Sequence, residues 1–496
     1  MKNLVSKALW ILVVSFLFQF CAGKKNTIKP QAGVEIEEFQ TNSPLVGSIQ
    51  KVMGISESDS LIPDPIQVSL SPVSLNFKIP AIQSATSAFY DGKWVLFGGR
   101  KSGLHSMDNA PKPFMNLTAN DSIWVIDLEA QNAVGVPLPA EYAQFLQASS
   151  TLHFQEGELL YVSGGYTYSD SSEVSNWTSD YFHEISVPNL INYVTSGGTS
   201  PSFDQVIQKQ ISDPFLQVTG GEMILSNGNF YLVGGQNYIG AYTPGNEGIY
   251  TSAIRKFRIG SNSSGFIITD TLSVIDSENL HRRDYNLAEV ITSDTDSLGA
   301  VILGGVFNKQ GLGYRSPVYL TGLGQGMPEF EVDDETLQKV NLYTSAKINS
   351  VLSFGQYKVN KITLLGGISY MEYDPSSQQL VVPEDIPLPF SNMISSYYTN
   401  GEGETIELVQ LPPDAMMPGY LGSNAIFFPQ PFYLYGDSDS VIDLNKVFPG
   451  SATGPVLVGY MFGGIDSPAG TTTGMNRYQT KTNQTLFAVY MTLKEY

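Results

Sequence analysis

WVLFGG, residues 94–99, is a short apolar run of β-branched and aromatic residues that stops on two adjacent glycines. The same figure returns as LLYVSGG ending at Gly165, FYLVGG at Gly235, AVILGG at Gly305, ITLLGG at Gly367 and VGYMFGG at Gly464. A figure used six times marks a repeat architecture, in which each unit buries its apolar faces against its neighbours. From first glycine to first glycine the intervals are 66, 70, 70, 62 and 97 residues. The last interval therefore holds a long insertion or leaves room for a seventh unit.

Each unit reads as four short strands. In the first, ATSAFY is followed by a tight turn at Asp91-Gly92, the returning strand KWVLFGG, a long loop to Asp121, and the strands IWVIDL and AVGVPLP. The last unit ends with TLFAVYMTL, one strand short. The alternating stretch IQVSLSPVSLNFKIP, residues 66–80, is the natural partner to close the circle. The expected fold is thus all-β: a six-bladed β-propeller over residues 62–496, closed by an N-terminal strand.

The doublets resemble those of the kelch-repeat family, whose blades carry an apolar second strand ending in Gly-Gly, a third strand with a Tyr and a fourth with a Trp. The six doublets match, and Trp124, Phe182, Phe257, Tyr319 and Phe487 occupy third strands, but the fourth-strand Trp is absent throughout. The resemblance implies a divergent kelch-like propeller and makes direct transfer of family function unsafe.

The chain begins MKNLVSK, then ALWILVVSFLFQF, then Cys21, the single cysteine. This resembles a bacterial lipoprotein leader: residues 1–20 as signal peptide, Cys21 as the lipidated N-terminus, and residues 21–61 as a flexible tether without sustained periodicity. Phe20 stands where such leaders usually carry a small residue, and ordinary secretion or an uncleaved anchor are the competing readings. All three place the propeller outside the cytoplasm, in or beyond a bacterial cell envelope, with a membrane partner through the lipid anchor.

With 47 acidic against 27 basic residues and a net charge of −20, the chain repels phosphate backbones, so nucleic acid is set aside as a partner. One cysteine excludes a disulfide framework, a cysteine-based zinc site and the Tyr–Cys cross-link of copper-radical oxidases of the galactose oxidase type. No cofactor and no metal is expected. His153 and His183 lie in expected strands and read as structural. GDSDSVID, residues 436–443, opens like a calcium loop but lacks its glycine and terminal Glu, and reads as a solvated acidic loop like SDTDS, residues 293–297.

Because successive strands reverse, the loops after all six doublets gather on one face, where binding residues concentrate. They carry ten Tyr and Trp residues, among them Tyr166 and Tyr238, and Arg100, Arg315 and Arg477. Arg282 and Arg283 fall on a blade-to-blade connection at the same face, so five of the chain's seven arginines collect there. A planar guanidinium fork suits a carboxylate, and aromatic rings suit sugars or peptides. The candidate ligand-binding residues are Arg100, Tyr166, Gln236, Tyr238, Arg282, Arg315 and Arg477. The expected function is an exported envelope module that binds an acidic sugar, a peptide or an envelope protein without transforming it. The alternative is a periplasmic sugar-modifying enzyme of the sialic-acid mutarotase (N-acetylneuraminate epimerase) type, which rests on fold-level analogy alone.

Overall fold

The computed structural model of the chain describes residues 44–53, 64–104, 114–169, 176–240, 242, 246, 248–292, 298–355, 357–386, 388–400, 405–410 and 416–494. The leader, Cys21, His105 and SDTDS lie outside the described residues.

Six antiparallel blades follow one another along the chain, their inner strands at Thr86–Tyr90, Leu152–Glu156, Glu222–Ser226, Asn286–Ile291, Ala346–Phe354 and Ala425–Pro429. In each blade the second strand is the one that ends on a doublet. The second strands are buried on both faces, which is why they read as unbroken apolar runs rather than as alternation. In Trp94–Phe97, Val95 and Phe97 pack towards blade two, whereas Trp94 and Leu96 pack towards blade six. Six separate cores result, one at each blade-to-blade interface.

The circle closes as expected. Ile66–Pro72 pairs antiparallel with Phe487–Leu493, Ile66 opposite Leu493 and Pro72 opposite Phe487, and becomes the outer strand of blade six.

A second closure surrounds the axis. At the start of each inner strand one backbone N–H donates to the preceding blade's carbonyl: Ser84 to Asn424 (3.4 Å), Ser150 to Ser84 (3.3 Å), Gly220 to Ser150 (3.1 Å), Asp284 to Gly220 (2.7 Å), Thr344 to Asp284 (2.9 Å) and Asn424 to Thr344 (2.9 Å). These six bonds form a complete ring, one residue per blade, and leave no gap for a seventh.

The doublets staple blade to blade. The second glycine N–H donates to the next blade, as from Gly165 to the Val218 oxygen at 2.9 Å, and the series ends with Gly464 donating to Ile82 of blade one at 3.1 Å. At Gly164, with φ +66°, a Cβ would sit 1.9 Å from the Val218 oxygen. The close approach of two backbones therefore demands glycine. Gly164→Ala is expected to cost at least about 2 kcal/mol, from the left-handed backbone penalty plus the clash. Gly157→Ala, at φ +58° with nothing within 4 Å of the added methyl, should cost only about 1 kcal/mol. Urea midpoints of the two variants check the difference.

Three features depart from the expected pattern. The tether reading of residues 21–61 fails over Pro44–Met53, which is a helix whose Leu45, Val46, Ile49 and Val52 are buried in the core between blades five and six. Blade two interposes helices Val187–Thr195 and Phe203–Val206 between its third and fourth strands, and they fill the core shared with blade one. Among its described residues the 97-residue interval contains no extra blade. Its strand Val441–Asp443 pairs in parallel with the inner strand of blade five, making that sheet five-stranded.

Candidate functional site

The residue after each doublet pairs with the residue just before the axial ring: Arg100 with Gln83, Tyr166 with Ser149, Gln236 with Thr219 and Val306 with Arg283. This pairing sets Arg100, Tyr166 and Gln236 in one tier around the axis, above the ring on the loop face. Together with Phe114, Tyr238, Tyr242, Arg283, Asp284 and Tyr343 they line a socket of about 50 Å³.

Arg100 is the exceptional group of the socket. Its side chain is 95% removed from solvent (5% exposed) and its guanidinium lies 4.5 Å over the Phe114 ring. One nitrogen donates to Ser102 Oγ at 3.2 Å, whereas Nε has no hydrogen-bond partner. No carboxylate of the described residues pairs with it, and burial pushes its pKa down. Arg283, across the socket, is differently held: it pairs with Asp284, donates from Nε to the Tyr250 hydroxyl at 3.2 Å and lies 5.2 Å from the Phe307 ring.

The tyrosines build the wall. Tyr166 donates its hydroxyl to the Gly240 oxygen, Tyr238 to the Asn246 oxygen at 2.5 Å and Tyr168 to the Gly99 oxygen at 2.9 Å. Their rings pack edge to face, Phe114 on Tyr166 at 4.8 Å and Tyr166 on Tyr238 at 5.4 Å. What faces the socket is therefore aromatic carbon around two guanidiniums, Arg283 paired with Asp284 and Arg100 with no carboxylate of the described residues, with the phenols of Tyr166, Tyr168 and Tyr238 engaged by backbone carbonyls.

Three of the sequence candidates stand apart. Arg282 is 1% exposed and serves the blade three to blade four junction: Nε donates to the Asn279 oxygen at 2.6 Å, Nη1 to the Gly304 and Ser316 oxygens at 3.1 and 2.8 Å, and the guanidinium stacks on Tyr314. Consecutive residues on an extended segment point opposite ways, so Arg283 faces the socket and Arg282 cannot. Arg315 donates to the Gln338 oxygen at 2.8 Å and stacks on Tyr370, away from the socket lining. Arg477 falls in the short helix Gly474–Gln479, and its side chain lies outside the described residues.

Below the ring the axis opens into a channel of about 470 Å³. The two cavities share the ring residues Ser84, Ser150, Gly220, Asp284 and Asn424. Inner strands line it with His153, Glu222, Glu289, Lys347 and Asn349, and the insertion between the first two strands of blade six supplies the floor through Asp437, Ser438, Asp439 and Ser440. Asp439 accepts from the Gly157 N–H at 2.7 Å, Ser440 donates to Glu289, and Val441 continues into the blade-five sheet. The acidic loop therefore spans the axis on the face opposite the doublets, with Asp437 and Asp439 exposed as a solvated loop would have them. Asp443, its last acid, caps the helix Leu444–Val447. Burial raises the pKa of Glu222, against Lys347 at 3.7 Å, which lowers it, and burial likewise raises that of Glu289.

Composition and doublets carry no hint of this channel. The one available signal is position: a charged residue on an inner strand that alternates away from the two flanking cores must face the axis.

His153 and His183 lie in the strands Leu152–Glu156 and Tyr181–Ser186. Burial pushes each down to about 4. Their folded pKa lies below the unfolded value, so the unfolded chain binds more protons between about pH 6.5 and 4 and stability falls as the pH drops through that window. Replacing His183, which is 2% exposed, with Gln should flatten that slope, checked by melting temperatures at pH 4.5 and 7.5.

Fold and cavities together define a six-bladed β-propeller with an arginine-centred socket above a floored axial channel. Among solved structures, that of YjhT aligns with a TM-score of 0.42 and 11% sequence identity over 82% of this chain and 99% of that one. No family model matches the chain, and no curated protein matches it.

Proposed function

We propose that the protein is a binding module that captures a carboxylate-bearing ligand, an acidic sugar or an acidic peptide, in the socket on its loop face, without transforming it. One observation carries this reading: Arg100, nine-tenths buried, has an unpartnered Nε and no carboxylate partner among the described residues. An isolated buried cation is costly, and a ligand carboxylate supplies the missing charge and acceptors. Phe114, Tyr166 and Tyr238 offer the apolar faces against which a sugar ring or a peptide side chain packs. Export and lipid anchoring through Cys21 belong to the same proposal and would set the propeller in the envelope with its ligand.

The reading is tested by titration calorimetry with N-acetylneuraminate and with its methyl ester as probes. The acid should bind and the ester, which lacks the charge, should not. Equal heats from both would remove the carboxylate from the recognition. Proton NMR of an anomerically pure sample in the same solution distinguishes the enzyme alternative: interconversion at the buffer rate is expected, and acceleration would favour a mutarotase.

A further inference from the structure

Away from the socket, at the seam where the circle closes, Lys361 and Asp64 meet with both side chains fully buried. Lys361 lies on the second strand of blade five, Tyr357–Ile368, and Asp64 just precedes the closing strand Ile66–Pro72. Lys361 Nζ is 3.3 Å from Asp64 Oδ2. It also donates to Thr363 Oγ1 at 2.5 Å and to Ser396 Oγ at 2.6 Å. The other carboxyl oxygen, Oδ1, accepts the Tyr398 hydroxyl at 2.6 Å and the Ile66 N–H at 2.8 Å. Ile66, Ile348, Ile394 and Val489 belong to the apolar core at this interface.

The arrangement exceeds what an ion pair needs. An amine stands beside one carboxyl oxygen while two donors converge on the other, the geometry that stabilises an oxyanion when a nucleophile adds to the carbon between them. Burial favours the uncharged amine and pushes the Lys361 pKa down, with Asp64 opposing. No bulk water competes as a nucleophile.

We propose that Lys361 and Asp64 condense to an intramolecular amide that joins blade five covalently to the segment closing blade six. Nζ adds to Asp64 Cγ, and the charge that develops on Oδ1 is held by the Tyr398 O–H and the Ile66 N–H. The Cγ–Oδ2 bond then breaks, and Oδ2 leaves as water with two protons that originate on the ammonium. The pair ammonium plus carboxylate becomes amide plus water, with no oxidant, reductant or co-reactant. Thr363 and Ser396, whose hydroxyls lie 3.1 Å apart, hold the amine in line during the addition.

The test is peptide mapping by mass spectrometry of the folded, purified full chain. The expected result is one branched peptide that contains both Lys361 and Asp64 and is lighter by one water than the two parents, with both linear parents depleted. Lys361→Arg keeps the positive charge and should abolish the branched species. Tyr398→Phe removes a donor from Oδ1 and should lower the linked fraction at a fixed time after refolding. Recovery of both linear peptides, unmodified and in full yield, from the wild-type chain overturns the proposal, and that measurement does not depend on whether either variant folds.

Discussion

Arg100→Ala is expected to abolish capture of a carboxylate ligand while leaving the melting temperature nearly unchanged. Removing one member of a buried, hydrogen-bonded charge pair costs about 2 to 5 kcal/mol of binding, roughly thirty-fold or more in Kd. The free protein loses little, because Arg100 has no carboxylate partner among the described residues whose burial the change would strand. What disappears with the side chain is the contact with the Phe114 ring, offset by release of a buried, incompletely bonded cation. Arg100→Lys keeps the charge but not the planar fork, and should recover only part of the affinity. Calorimetry of both variants with N-acetylneuraminate, beside thermal melts, separates the two roles. A melting temperature that falls in step with affinity would make the arginine structural. Arg315→Ala serves as the control: its guanidinium is spent on the Gln338 oxygen and the Tyr370 ring, so binding should persist.

Asp64→Ala is expected to be the most destabilising single change in the propeller, by at least about 3 to 5 kcal/mol, the range for breaking a buried ion pair from one side. It leaves the Lys361 ammonium in an apolar interface with only hydroxyls for company. It also removes the acceptor that fixes Tyr398 and the Ile66 N–H at the entry to the closing strand. If the two side chains are joined by an amide, the loss is larger still, because the covalent tie across the seam goes too. A double replacement, Asp64→Leu with Lys361→Met, should recover much of the stability, since apolar groups of similar volume often replace a buried pair without cost. Urea midpoints of the single and double variants measure the recovery, and a double variant as unstable as the single would show that packing, not charge, dominates at this position.

The architecture was legible because every doublet carries local information. A run buried on both faces and stopped by two glycines states where a strand lies and where the next blade's backbone must approach. The missing last strand and the alternating stretch at residue 66 likewise state how the circle closes. Part of the site was legible by the same logic: Arg100, Tyr166, Gln236 and Tyr238 do converge, since each follows a doublet and the doublets point to one face. Arg282 and Arg315 do not line the socket, because membership of a loop face does not say which way a side chain turns or whether a neighbouring carbonyl has already claimed it. Arg283, adjacent in sequence to Arg282, is the one that reaches the socket.

The helix Pro44–Met53 escaped notice because ten residues with one apolar stripe look like tether until the groove that receives them exists. The acidic insertion read as solvated loop because its partners, Gly157, Glu289 and the inner strand of blade five, are far away in the chain. Sequence by itself determined the repeat, the strand that closes the circle and the face on which loops gather, since each rests on short-range pattern and chain order, whereas the choice of six blades over seven was made by the axial ring of backbone bonds. Only the tertiary structure decided which arginine faces the socket without an acidic partner among the described residues, that a channel lies beneath the socket with the insertion as its floor, and that Lys361 faces Asp64. Those outcomes depend on distances between residues from different blades, and local pattern carries no record of such distances.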